Sequence, residues 1–386
     1  MSYQTARQNA ATVQAYNTLN SYFARGREEG MALFEKIRKL IIVDYMVFTK
    51  DMLFTPDSPL IYRPTLKAGG ADKTLNFTVH PHALRQMATC VNIPSSFVNT
   101  LVSGADWERR ELTDLLTERF NKLDFAQRGG GGDRFMNRVV DNEVRGFVSR
   151  MFARHISSAP ILEAFVKACG KYGAMPASVL TTDVSFTLRC FLPHVFEPAD
   201  GEFIAIGCSC SNSDFGAGML RLGLSVLRIK NGSVSYVKET YAASHRSRAD
   251  NSADLSVELS QSTIKKQILA KQGEVEDIVT STLHPDKVND FLDTVAKAME
   301  KKISWYKLEK YLTGTSLSKE EREEIQRLLE KGDESGMLPP VSHDVDGSAI
   351  ANLWWASSVV SQIAEKQTDD GKKGDLQALA GALLLR

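Results

Sequence analysis

The close spacing of strand-like segments in the middle of the chain is the feature that most restricts its fold. These segments are rich in β-branched and aromatic residues, and they cover 178–192, 202–211, 218–229 and 233–239. A parallel pair needs a crossover connection of a dozen or more residues, so segments this close must pair antiparallel. Helical patterns cover 158–172 before them and most of the chain after residue 255. The sequence therefore predicts the α+β class, with an antiparallel sheet covered by helices and a helical C-terminal region.

A glycine-rich segment, QRGGGGDR at 127–134, is typical of a flexible linker and gives the clearest internal boundary. Beyond it, Asp141-Asn142-Glu143 separates two strand-like runs and predicts a hairpin over 135–149. We therefore divide the chain into three predicted regions. They are an N-terminal α/β region at 1–128, a central basic αβββα region at 135–272 and an acidic helical C-terminal region at 273–386.

Composition excludes several classes of protein. The 386 residues are 43% hydrophobic and 24% charged, as in ordinary globular proteins, which excludes wholesale disorder. No apolar run approaches the ~18 residues of a membrane helix, and the polar first 20 residues do not resemble a secretion signal. Five cysteines, an odd number in a long chain, argue against a disulfide framework. We expect a cytoplasmic protein that does not associate with a membrane.

The net charge of zero conceals an uneven distribution along the chain. Residues 1–144 carry +2, residues 145–272 carry +5 and residues 273–386 carry −7. A basic hairpin with tyrosines on its return strand could follow a phosphate backbone and stack bases on Tyr236 or Tyr241. The alternative is a solvated face, or a face that docks the acidic tail. The residues predicted to contact nucleic acid here are Arg221, Arg228, Lys230, Lys238, Tyr236, His245, Arg246 and Arg248.

Metal and catalytic motifs are weak in this sequence. Cys190, His194, Cys208 and Cys210 could converge as zinc ligands across a hairpin, but buried packing in the core is the favoured interpretation. No nucleophile, base and acid can be assigned together. Asp214 lies in the polar segment SNSDFG and is more typical of a turn than of a catalytic site. We predict no cofactor and no bound metal.

Several segments together resemble the phage- and plasmid-encoded "phage/plasmid-like protein" family, a domain of unknown function. The resembling segments are LNFTVHPHALRQMATCVNIPSSFVNTL (75–101), VRGFVSRMFARHISSAPILEAF (144–165), SNSDFGAGMLRLGLSVLRIKNGSV (211–234), AASHRSR (242–248) and a tail at 352–384. The matching positions are Arg145, Phe147, Ser149, Arg150, Asn212, Ser213, Gly216, Arg228, Asn231, Gly232, His245 and Arg246. The family's cysteine before Asn231-Gly232 is absent, because Ile229-Lys230 stand there.

The resemblance implies that a mobile genetic element encodes the protein, and it says less about the chemistry that the protein performs. Its matching residues suit phosphate and base contacts, and they add Arg145 and Arg150 to the predicted nucleic-acid interface. The αβββα order is also similar to the core of phage single-strand annealing proteins of the Rad-fifty-two type. That second similarity implies a ring-forming homo-oligomer with a basic groove for single-stranded DNA.

The leading hypothesis is a non-catalytic, phage- or plasmid-encoded protein that binds nucleic acid, single-stranded DNA first, in replication, recombination or host takeover. Two alternatives remain open. One is a metal-dependent nuclease or nucleotide-processing enzyme that uses Asp214 and His245. The other is a protein-interaction or anti-defence factor that binds a host or phage protein through its helical tail.

Overall fold

The structure, a computed structural model, confirms the α+β class. It describes residues 5–6, 9–57, 60–68, 71–122, 134–150, 152–199, 201–245, 260–315, 317–331, 342–343 and 349–386. Apart from Arg134, the glycine-rich segment predicted as a linker lies outside these residues. Antiparallel pairing dominates among the described strands, as the strand spacing predicted, and a parallel pair lies in the N-terminal sheet.

The first sheet combines strands from both sides of the predicted linker. Its strand order is β1-β6-β7-β5-β3-β2, with β4 paired to β3, and β5 and β7 are parallel. The elements are β1 (Val43–Phe48), β2 (Met52–Thr55), β3 (Ile61–Ala68), β4 (Ala71–Thr74), β5 (Phe77–Val79), β6 (Arg134–Val140) and β7 (Glu143–Ser149). Asp141 and Asn142 both have positive φ, so the predicted hairpin turn is confirmed.

Three helices cover this N-terminal sheet. They are α2 (Pro81–Cys90), α3 (Ser95–Ser103) and α4 (Asp106–Lys122). Their apolar side chains, among them Met87, Leu112 and Phe120, form a hydrophobic cluster with Tyr62 and Phe147 of the sheet. Because β6 and β7 belong to this cluster, the predicted central hairpin at 135–149 packs with the N-terminal region.

The second sheet, here called the central sheet, has the order β13-β12-β11-β9-β8, with β10 paired to β11. Its strands are β8 (Met175–Thr181), β9 (Phe186–Phe191), β10 (Phe196–Ala199), β11 (Glu202–Asn212), β12 (Leu220–Arg228) and β13 (Val234–Ala243). The prediction of a single strand over 178–192 is wrong. A turn at 182–185, held by the Thr182 hydroxyl, divides it into β8 and β9.

Helices cover both faces of the central sheet. One face packs against α5 (Ser158–Lys171), α6 (Gln261–Thr282) and α7 (Pro285–Glu300) through a large apolar cluster. On the other face, α1 (Ala10–Lys39) packs its Leu19 and Phe23 against part of the sheet. Cys190, Cys208 and Cys210 are free and buried in the large cluster, so their predicted core role is confirmed.

The C-terminal elements form a third hydrophobic cluster. They are β14 (Lys302–Ser304), α8 (Trp305–Thr313), α9 (Lys319–Lys331), β15 (Ser342–His343), β16 (Ala349–Asn352), α10 (Leu353–Glu365) and α11 (Asp370–Leu384). The cluster includes Leu308, Ile325, Trp355, Val359 and Leu376, and none of its buried members comes from the described central sheet. Within the described residues, none of the helices combines the length and the apolarity that crossing a membrane requires.

A candidate nucleic-acid interface at the junction of the two sheets

The segment SNSDFG joins the central sheet to the N-terminal sheet. Asn212 ends β11, and the chain then crosses to α2, where the carbonyl oxygen of Phe215 accepts a hydrogen bond from Gln86 Nε2 at 3.0 Å. A side chain at Gly146 of β7 would place its Cβ only 3.0 Å from that same oxygen. Glycine at 146 therefore lets the segment lie directly against the first sheet.

Asp214 anchors the start of α5 at this junction. Its Oδ1 accepts a hydrogen bond from the Ser158 backbone nitrogen at 3.0 Å, which satisfies one of the free N–H groups of the helix. Its carbonyl oxygen accepts from Arg138, whose Nε lies 3.0 Å from Asp44 Oδ1. Burial raises the pKa of Asp214, and the bonds with Ser158 and the charge of Arg138 oppose that shift. Asp214 therefore has a structural partner on each side.

His245 belongs to the same network. Its Nε2 lies 2.9 Å from Asn212 Oδ1, and Asn212 Nδ2 donates to the Ile156 carbonyl at 2.9 Å. The imidazole stacks on Phe152, with ring centroids 4.7 Å apart. Burial lowers the pKa of His245 to about 4, so the ring is neutral at pH 7. As a correction, His245 is a buried neutral side chain and not an exposed contact to phosphate.

A small cavity opens beside this network. Arg145, Asn212 and Asp214 line it, together with Lys36 and Asp183. Its volume is about 40 Å³, whereas pockets for small molecules have roughly 300–1,000 Å³. The cavity has room for water molecules and not for a nucleotide.

Arg145 and Arg150, taken from the family resemblance, both lie at this junction. Arg145 is half-buried, and its Nε lies 2.8 Å from Glu143 Oε2. Arg150 is half-buried just after β7, near the point where Gly216 approaches Val148. Both cations are therefore held close to the end of the central sheet at which Asn212 lies.

Arg221 occupies the same end of the central sheet and is exposed. It pairs with Ser211 of β11 on one side and with Ala242 of β13 on the other. His245 follows two residues after β13 ends. The structure thus gathers Arg145, Arg150, Arg221 and His245 at one end of the central sheet, which we call the junction end.

Arg228 is at the opposite end, and its predicted phosphate contact is wrong for this structure. The side chain is 1% exposed and donates to the hydroxyls of Ser235, Ser357 and Ser361. Its guanidinium lies 4.0 Å from the centroid of the Trp354 ring. Burial beneath α10 therefore removes Arg228 from the surface.

The remaining predicted residues are not gathered with the junction end. Lys230 is exposed in the turn after β12. Tyr236 is half-buried, and its backbone carbonyl lies against Gly381 of α11. The side chain of Lys238 and the whole of Arg246 and Arg248 lie outside the described residues. Arg221 and Arg228, seven residues apart on one strand, are separated by roughly 24 Å at ~3.4 Å per residue.

Arg189, a buried arginine of the central sheet, was not predicted from the sequence. It lies on β9, pairs with Ser209 and Ser178 on the neighbouring strands, and is 2% exposed. Burial lowers the pKa of Arg189 to about 10, so the guanidinium remains charged at pH 7. The alternation of Thr187 and Arg189 with Leu188 and Cys190 was the available signal of a polar face.

No family model, no curated protein and no solved structure matches this chain. Among the described residues, no group of three or more histidine, cysteine, aspartate or glutamate side chains is arranged to hold a metal ion.

Proposed function

We propose that this protein binds nucleic acid, with single-stranded DNA as the preferred partner, and that it does so without catalysing a reaction. It acts in the cytoplasm of the host of a phage or plasmid, during replication, recombination or host takeover. It works as a homo-oligomer, in line with its resemblance to annealing proteins. The observation that carries the proposal is that Arg145, Arg150 and Arg221 all lie around the junction end of the central sheet, with Arg145 ion-paired to Glu143.

Convergence matters because these cations come from distant parts of the chain. Arg145 belongs to β7 of the N-terminal sheet, Arg150 follows directly after that strand, and Arg221 belongs to the central sheet. Both sheets lie against the segment SNSDFG, so the three side chains flank one structural joint. Cations that flank one surface can neutralise successive phosphates of a strand, which is the main source of affinity for nucleic acid.

The bonding of Asp214 and His245 supports a binding role over the nuclease alternative. Asp214 forms hydrogen bonds with the start of α5 and with Arg138, and His245 forms one with Asn212. Both side chains are less than a tenth exposed. Groups held in this way stabilise the joint beneath a surface, whereas a general acid or base must reach the substrate.

The dependence of affinity on salt tests the proposal. Each contact to a phosphate of single-stranded DNA contributes a slope of ~0.7 in a plot of log affinity against log salt. Three contacts give a slope of about −2 for the wild-type protein and a fluorescent oligonucleotide. The variant Arg221→Glu should bind the oligonucleotide at least tenfold more weakly. Its slope should be smaller in magnitude by ~0.7, the contribution of about one phosphate contact.

Lys230→Glu is the matched control, because Lys230 is an exposed cation at the other end of the same strand. Affinity should change less than twofold in this variant. Equal losses in the two variants would show a general charge effect and no localised interface. The absence of any oligonucleotide binding at low salt would refute the proposal.

A further inference from the structure

We propose that the nucleic-acid interface continues beneath α11, where Arg189 is its inner phosphate-binding residue, and that α11 is a displaceable cover. This inference rests on the proposed function. It assigns a site to a residue that the sequence motifs do not include, and it gives the acidic C-terminal region a regulatory role.

Strand register places Arg189 on the same face as Arg221. Ser211 pairs with both Thr187 and Arg221, which forms an outer polar row across β9, β11 and β12. Ser209 pairs with Arg189 two residues further along, which forms an inner row. Residues two apart on a strand point to one face, so the rows lie side by side at roughly 7 Å. The outer row is exposed at Arg221, and the inner row is buried.

α11 crosses this face of the sheet from β8 to β13. At its first turn, Asp370 Oδ2 accepts a hydrogen bond from the Thr181 backbone nitrogen at 2.9 Å. In its middle, a Cβ on Gly374 would lie 3.9 Å from Leu180, and near its end a Cβ on Gly381 would overlap the Tyr236 carbonyl. Positions 370, 374, 377 and 381 follow helical spacing, so Gln377 belongs to the stripe that faces the sheet.

The surface between α11 and the sheet has polar atoms without partners. Arg189 Nε, Ser225 Oγ and Gln377 Oε1 are buried, and none has a hydrogen-bond partner among the described residues. Arg189 donates from Nη1 to Ser178 Oγ at 3.4 Å. Buried polar groups are normally paired, and unpaired ones mark a strained or incomplete site. The arginine fork matches the oxygens of a phosphate group, which would supply the missing acceptors.

Carboxylates from the end of α10 and the start of α11 lie near Arg189 as competitors for phosphate, whereas α11 itself carries two aspartates and two lysines. The carboxylates of Asp370 and Glu365 are close enough to Arg189 to favour its charged form. Three of the buried apolar residues of α11, Leu376, Ala380 and Leu383, pack in the separate C-terminal cluster. Only Leu384 joins the core of the central sheet. Because α10 is also anchored in the core of the central sheet through Leu353 and Trp354, α11 has to separate from α10 as well as from the sheet when it moves.

A matched pair of glycine substitutions in α11 tests the cover. Gly381→Ala places a methyl group against the Tyr236 carbonyl and 2.7 Å from Val237 Cα, which the helix can relieve only by moving away. Gly374→Ala adds the same methyl group and the same helix propensity, with ordinary contact to Leu180. We expect Gly381→Ala to bind a single-stranded oligonucleotide at least fivefold more tightly than wild type, and Gly374→Ala to bind within twofold of wild type.

The role of Arg189 is tested in the opened protein. Adding Arg189→Gln to Gly381→Ala should remove the gain in affinity. A gain that persists in this double variant would overturn the assignment of Arg189. If Gly381→Ala fails to fold, Asp370→Asn replaces it, because it weakens the exposed bond to Thr181 and removes one of the carboxylates near Arg189.

The outcomes separate this inference from the proposed function. Binding by wild type that Arg221→Glu weakens, with no gain in Gly381→Ala, keeps the interface and refutes the cover. Binding by Gly381→Ala where wild type binds weakly supports both. No binding by any of these folded proteins at low salt refutes the proposed function itself.

Discussion

The two polar interfaces of the central sheet differ in how well their buried groups are bonded. At the junction end, Asn212 makes three hydrogen bonds, to Ile156, Ser158 and His245. Beneath α11, by contrast, Arg189 makes one long hydrogen bond, and Ser225 and Gln377 each leave an oxygen without a partner among the described residues. Both interfaces are buried and polar, so burial alone does not distinguish them.

The difference indicates which interface can open. A buried network with its bonds made is expensive to separate, because each group that loses its partner costs about 1–3 kcal/mol. An interface whose groups already lack partners loses little when water replaces the neighbouring helix. We therefore expect the junction to behave as a permanent joint and α11 as a removable element.

Removing the side chain of Asn212 should give the largest effect. The substitution Asn212→Ala leaves the Ile156 carbonyl and the Ser158 and His245 side chains without this partner, so we expect a loss of about 3–4 kcal/mol in the free energy of unfolding. Urea denaturation measures it. Asn231→Ala is the control, because Asn231 is exposed and its side chain bonds, among the described residues, to the nearby Ser233. Equal losses in the two variants would show that the junction is not a tight joint.

Much of the fold could be predicted from the sequence, because local signals decided it. Asn231-Gly232 predicted the turn between β12 and β13, and Gly232 has a φ of +70° there. The short spacing of the strands required antiparallel pairing. The split of 178–192 into β8 and β9 was missed, because Thr182 and Ser185 form a polar turn without glycine or proline.

The site was harder to predict, because its residues meet only in the tertiary structure. Arg221 and Arg228 belong to one basic segment of the sequence, yet Arg221 is exposed and Arg228 is buried against Trp354. No local pattern distinguishes them, since the difference comes from α10, more than 120 positions later in the chain. Asp214 was predicted to form a turn through its side chain, which is wrong: its Oδ1 bonds to the first turn of α5, and the Ser213 hydroxyl holds the local turn.

Acidification tests the junction without changing a residue. The pKa of His245 is about 4 in the folded protein and ~6.5 in an unfolded chain. The unfolded state therefore binds more protons between pH 4 and 6.5, so stability is highest above pH 6.5 and falls as the pH approaches 4. We expect this residue to account for a loss of about 3 kcal/mol across that window.

The measurement is urea denaturation between pH 4 and 7, in wild type and in His245→Gln. In the variant, the free energy of unfolding should change less with pH, because glutamine does not titrate. The raised pKa of Asp214 acts in the opposite direction and is common to both proteins. Parallel curves would indicate that water reaches the imidazole and that the junction is open.

The smallest effect, and the sharpest contrast, is expected where a buried arginine is replaced by methionine. In Arg189→Met, a poorly bonded charge gives way to an apolar side chain of similar length. Such exchanges are often neutral or stabilising, so we expect a change within about 1 kcal/mol. Arg228→Met is the comparison, because Arg228 bonds to three serine hydroxyls and lies over Trp354.

We expect Arg228→Met to cost about 2 kcal/mol, since it leaves serine hydroxyls without a donor. A cost for Arg189→Met as large as for Arg228→Met would mean that Arg189 holds α11 in place. The inner row formed by Ser209 and Arg189 would then be a structural contact between the central sheet and α11. If Arg189→Met changes the free energy of unfolding by almost nothing, then this charged residue, which is 2% exposed, does not contribute to stability. The remaining reason for an arginine at this position is a ligand that arrives when α11 moves away.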